Sequence, residues 1–165
     1  MKKKISLIAV IASLFFVLTF SLIYTRPRTI EQRYAELDLS ECIEINGYYL
    51  YRLETIHSFS ISPDDEDFYS MTELFRQTSF KTRLRNILPS GTKTHIGDGF
   101  EWGVYFKFES VPMKDGSFAS GDLLYVNNFY GDIEMSFDGD IVQCSVKDSE
   151  RWLKDVLDIA QLYAD

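Results

Sequence analysis

The chain has 165 residues, 45% of them hydrophobic and 15% aromatic, with 17 Lys and Arg against 25 Asp and Glu. That composition supplies one hydrophobic core and argues against a disordered tail. From Arg26 onward the balance is 14 against 25, a net −11 that repels phosphate backbones and argues against nucleic acid as a partner.

The first element is an uncharged run at 5–24 that follows Lys2, Lys3 and Lys4. Twenty residues at about 1.5 Å each span roughly 30 Å, the thickness of a bilayer core. Thirteen of the 20 are Leu, Ile, Val or Phe. At about −0.3 to −0.6 kcal/mol each they favour insertion by roughly 4 to 8 kcal/mol. The run is expected to be a retained single-pass signal-anchor over residues 5–25. The alternative is a cleaved signal, whose best site, Thr19-Phe20-Ser21, is poor. The three lysines and the amino terminus favour an inside placement of the N-terminus. Arg26, Arg28 and Arg33 beyond the run nearly balance them. The C-terminal domain is expected to be periplasmic or extracellular.

Residues 26–40 are expected to be a juxtamembrane connector that lifts the domain off the bilayer. Thr29 with Gln32 resembles a capping box for a short helix. The acidic domain follows at 41–165. Ile43 to Ile45, then Asn46-Gly47, then residues 48–53 predict a hairpin with a two-residue turn, and residues 56–61 a third strand. Ser62-Pro63-Asp64 predicts a helix start, with Phe68, Met71, Leu74 and Phe75 as its buried stripe. A second helical piece is expected at 79–88, stopped by Pro89-Ser90-Gly91. Trp102, Val104, Phe106 and Phe108 then alternate on one face of a strand. Asp115-Gly116 and Ser120-Gly121 mark turns. Residues 123–130, 133–137 and 141–146 predict three more strands, with Asp138-Gly139-Asp140 turning between the last two. Ser149 is expected to cap a final helix with Trp152, Val156, Ile159, Ala160 and Tyr163 on its apolar side. The expected class is therefore α+β: an N-terminal transmembrane helix, then one antiparallel-sheet domain with helices packed on one face.

Cys42 and Cys144 are the two cysteines. Outside the cytoplasm they are permitted to pair, closing a loop of about 100 residues worth on the order of 4–5 kcal/mol. Strand phase speaks against it. Cys144 alternates with Val142 and Val146 toward a core, whereas Cys42 is out of step with Ile43 and Ile45 unless it precedes the strand.

No motif carries chemistry. His57 and His95 lack partners at ligand spacing, so neither a metal nor another cofactor is expected. Asp138-Gly139-Asp140 lacks the further ligands of a calcium loop, and Gly97-Asp98-Gly99 lacks a phosphate-loop lysine. No nucleophile sits in an enzyme motif, so the chain is not expected to be an enzyme. Glu101 or Glu109 with Asp122 is only a generic acid pair.

Two patches are candidates for protein contact. Asp64, Asp65, Glu66 and Asp67 form the densest acidic run, read as helix capping or as a dock for a basic partner. Arg76, Lys81, Arg83 and Arg85 contrast with the acidic domain. They suit anionic headgroups, an acidic partner, or balance of the domain's own acids. Tyr48, Tyr49 and Tyr51 occupy both faces of one strand, so an exposed tyrosine row is expected. Such a row suits protein or sugar contact. These features suggest a membrane-anchored protein-binding module, for example of the immunity or inhibitor type. The alternative is an accessory or structural subunit of a membrane complex, and an envelope-acting enzyme stands behind both.

Overall fold

A computed structural model describes residues 2–51, 55–84, 100–129 and 132–165, with side chains from Ile8 onward and without those of Tyr51 and Phe129. Helix α1, Lys2–Tyr24, precedes the short helix α2, Ile30–Arg33, and a 3₁₀ turn at Leu39–Glu41. Strands β1, Cys42–Tyr51, and β2, Thr55–Ile61, lead to helix α3, Phe68–Gln77, and the short strand β3, Phe80–Thr82. Strands β4, Phe100–Pro112, β5, Phe118–Phe129, β6, Asp132–Phe137, and β7, Asp140–Val146, are followed by helix α4, Ser149–Ala160.

The strands form one antiparallel sheet in the order β2-β1-β4-β5-β6-β7-β3. The α+β class is therefore as expected. Among the described residues no helix is long and apolar enough to cross a membrane. The side chains that open the expected 5–24 span lie outside the described residues. From Ile8 onward α1 is helical and exposes Leu14, Phe15, Phe16, Val17 and Leu18.

Period-two alternation builds the core. Trp102, Val104, Phe106 and Phe108 of β4 are all buried and face α3 and α4. Phe75 of α3 meets Phe106 edge-on at 5.0 Å and Trp152 of α4 at 5.2 Å. Trp152 also packs on Phe80 and Trp102, at 5.9 and 5.7 Å. Offset and edge-on ring pairs of this kind add to area burial. The stripe Trp152, Val156 and Ala160 is buried as expected, whereas Asp148, not Ser149, holds the N-cap position with φ 53°.

Five local expectations need correction. Asn46-Gly47 does not turn: β1 runs straight through it, and Gly47 lies opposite Phe59 of β2. A Cβ on Gly47 would sit 2.3 Å from the Phe59 ring and 2.6 Å from the Gly103 carbonyl. The glycine thus permits close packing, the other use of a residue without a side chain.

Phe80, expected in a helix, begins β3 and pairs with Val146; residues 85–88 of that expected helix lie outside the described residues. Residues 62–67 form turns and α3 starts only at Phe68. Ser120-Gly121 lies inside β5 at a register shift, with Gly121 at φ +108°. Residues 26–40 are not a spacer, because Ile30, Tyr34, Leu37 and Leu39 are buried in the core. The Thr29–Gln32 capping box does form, with both hydrogen bonds at 3.2 Å. Asp138 and Gly139, both at positive φ, make the expected tight turn between β6 and β7.

The connector also touches the sheet edge. Arg28 pairs with Phe80 of β3 through two backbone hydrogen bonds, of 2.8 and 3.1 Å. At the opposite edge Ala164 pairs with Phe59 of β2, and the Asp165 N–H donates to the Ser58 carbonyl at 3.1 Å.

Candidate interaction face

The cysteines do not bridge. Both are free, buried thiols, Cys42 on β1 and Cys144 on β7, with β4, β5 and β6 between their strands. A disulfide needs Cα atoms within about 7 Å, and neighbouring strands alone are about 4.8 Å apart. A register shift between Cys42 and Glu44 lets both Cys42 and Ile45 face the core, which straight alternation forbids. Burial pushes both thiols up to about 11.

The acidic run is partly consumed locally. The Asp65 carboxylate accepts from the Ser62 N–H at 2.7 Å and its hydroxyl at 2.9 Å, and Asp67 accepts from the Tyr163 hydroxyl at 3.3 Å. Asp64 and Glu66 are exposed.

The basic set is not one helix face. Arg76, at the end of α3, pairs with Glu31 at 3.2 Å and Glu73 at 3.5 Å. Arg83 pairs with Asp132 at 3.2 Å. Lys81 is exposed on β3, and Arg85 lies outside the described residues. His57 stacks on Tyr49 at 5.0 Å on the core-side phase of the sheet. His95 and the Gly97–Gly99 turn lie outside the described residues. No group of three or more potential metal ligands occurs among the described residues.

The other face of the sheet is where polar and aromatic groups converge. β4 turns Gly103, Tyr105 and Lys107 away from the helices, β1 adds Asn46 and Tyr48, and β5 adds Asp122, Tyr125 and Asn127. Register places Tyr105 opposite Tyr125, and their rings stack at 4.2 Å with 15° between planes. The Tyr48 and Tyr125 hydroxyls lie 3.1 Å apart. Gly103 makes this possible, since a Cβ there would come within 2.7 Å of the Tyr48 ring and 2.8 Å of the Tyr125 ring. Burial, together with the Tyr125 hydrogen bond, pushes the Tyr105 phenol up to about 12.

Beside the rings, the Glu44 carboxylate pairs with Lys107 and accepts from Ser60 at 3.0 Å, which holds it below the ordinary range. Asn46 reaches Asp122 at 3.5 Å. Asn46, Tyr48, Ser58, Ser60, Tyr105 and Asp122 border an open hollow of about 480 Å³. The surface offers half-buried phenols, an amide and a carboxylate, groups that donate and accept hydrogen bonds. The sequence predicts a tyrosine row on β1 alone. Of those three, Tyr48 joins the cluster and Tyr49 points to the helix side. The partners Tyr105 and Tyr125 depend on a strand register that no single segment reveals.

No protein-family model matches the chain, and no curated protein or solved structure is significantly similar to it.

Proposed function

We propose that the chain is a membrane-anchored protein-binding module of the immunity or inhibitor type. In this reading α1 is a single-pass anchor and the domain lies outside the cytoplasm. The observation that carries it is the tyrosine face: Tyr48 and Tyr125 meet over Gly103, and Tyr105 stacks on Tyr125, on the sheet face opposite α3 and α4. Rigid tyrosines bring large contact area at low entropic cost, and a flat sheet face suits a protein surface. The net −11 beyond the anchor favours a basic partner. Asp64 and Glu66, both exposed, extend the acidic surface available to it.

The test is affinity capture with the detergent-solubilised full chain and with Tyr105→Glu. A partner bound by the parent and lost from the variant, whose far-ultraviolet circular dichroism and thermal midpoint stay close to the parent's, supports the reading. A partner retained at full yield places recognition elsewhere. A reporter enzyme active only outside the cytoplasm, fused after Asp165, checks orientation; a stable but inactive fusion refutes it.

A second reading, an accessory subunit of a membrane complex, draws on α1 itself. Phe16, Phe20 and Tyr24 stack along one side at 6.5 and 5.9 Å, a ridge suited to another helix. Replacing residues 5–24 by an unrelated anchor abolishes function under this reading and spares it under the first.

A further inference from the structure

We propose that the β3 edge of the sheet, with the residues that leave α1, forms a basic strip that docks the domain on anionic lipid headgroups. This inference rests on α1 being the membrane anchor. α1 ends at Tyr24, a turn bond from the Arg26 N–H to the Ile23 carbonyl at 3.4 Å holds Arg26 against the helix end, and Arg28 is already paired with Phe80. Two residues reach about 7 Å at most. The β3 edge therefore cannot stand off from the end of α1. If α1 ends at the hydrocarbon boundary, the edge falls within the headgroup layer, about 5–8 Å deep on each side. That is within one Debye length of roughly 8 Å at physiological salt.

Three cations there are left without a paired acid among the described residues, whereas Arg83, next along the chain, is spent on Asp132. Arg26 and Lys81 are exposed, Arg28 is half-buried, and none of the three makes an ion pair among the described residues. Antiparallel continuation from Arg28 opposite Phe80 sets Lys81 opposite Pro27, so these cations come from two chain segments on one edge. The Arg33 guanidinium, bonded to the Thr82 hydroxyl, anchors the same corner. The rest of the domain is strongly acidic, so an anionic membrane attracts this edge and repels the remainder. The β2 edge lies six strand steps away, about 29 Å along a flat sheet. The strip thus sets which end of the domain is membrane-proximal.

The test reconstitutes the full chain into nanodiscs of phosphatidylcholine, with or without one third phosphatidylglycerol, carrying a lipid-borne energy acceptor. A donor dye sits on Ser79→Cys beside β3 or on Ile56→Cys of β2, both exposed sites in a chain whose own thiols are buried. Energy transfer is expected to be stronger from position 79 than from 56, to rise with phosphatidylglycerol, and to fall back in high salt. Arg28→Gln with Lys81→Gln is expected to lower the docked-to-undocked ratio on anionic discs roughly thirty-fold, with incorporation unchanged. Incorporated protein whose transfer ignores lipid charge and salt overturns the docking strip while leaving the anchor intact. A chain that fails to enter discs and is extracted by alkaline carbonate overturns the anchor, and the strip with it.

Discussion

Replacing Gly47 by alanine tests the packing of β1 on β2 most directly. The added Cβ would meet the Phe59 ring at 2.3 Å and the Gly103 carbonyl at 2.6 Å. The ring can tilt, but the carbonyl belongs to the β4 backbone, whose Gly103 pairs with Tyr48. One side of the clash therefore yields only by spreading two strands. Overpacking of this kind costs about 1–3 kcal/mol, and the backbone contact places Gly47→Ala near the upper end. For a chain of this length about 3 kcal/mol lowers the midpoint by roughly 6–12 °C. The assay is thermal unfolding of the full chain in detergent, followed by near-ultraviolet circular dichroism. Phe59→Leu in the same background is expected to relieve part of the effect, with a coupling of about 1 kcal/mol or more. A Gly47→Ala midpoint within about 1 °C of the parent, or strict additivity with Phe59→Leu, refutes the packing account.

Three other outcomes are expected. Trp152→Ala removes the ring against which Phe75, Phe80 and Trp102 pack, at a cost of about 3–5 kcal/mol; an unchanged urea midpoint contradicts that arrangement. Cys42 and Cys144, buried with thiols pushed up to about 11, should resist alkylation at neutral pH and react fully in denaturant without reductant. Labelling that requires reductant shows a bridge instead. Because the folded state holds the Tyr105 proton to about pH 12, its contribution to stability is present below pH about 10 and is lost as pH rises toward 12. Tyr105→Phe should flatten the midpoint-versus-pH curve in that window, and an equally steep decline dissociates Tyr105 from it.

The parts of the fold legible in the sequence are those where one local rule decides. Trp102, Val104, Phe106 and Phe108 alternate without interruption, and their burial follows. Asp138-Gly139 turns because no competing contact wants that glycine. Asn46-Gly47 looks the same locally, yet Phe59, twelve residues on from Gly47, uses the missing side chain for packing. Phe80 fits a helical spacing over a stretch too short to distinguish period 2 from 3.6. Its state is set by Val146 on one side and Arg28 on the other. Ile30, Tyr34, Leu37 and Leu39 read as connector residues because nothing near them in sequence shows the core that covers them. The tyrosine face was half legible: each tyrosine's phase is local, but the meeting of Tyr48, Tyr105 and Tyr125 needs three strands in register.

The residue pairs at the two sheet edges restrict how a partner can bind. Extended peptides often join a sheet by adding a strand to an open edge. Here Arg28 occupies the three-residue β3, and Ala164 with Asp165 occupies the middle of β2 at Phe59 and Ser58. An incoming strand must first displace part of the chain itself. The same arrangement guards against edge-to-edge association of copies of the chain. Under the proposed binding role, recognition is thereby steered toward side chains on a face, where specificity depends on shape and charge rather than on backbone pairing open to any extended segment.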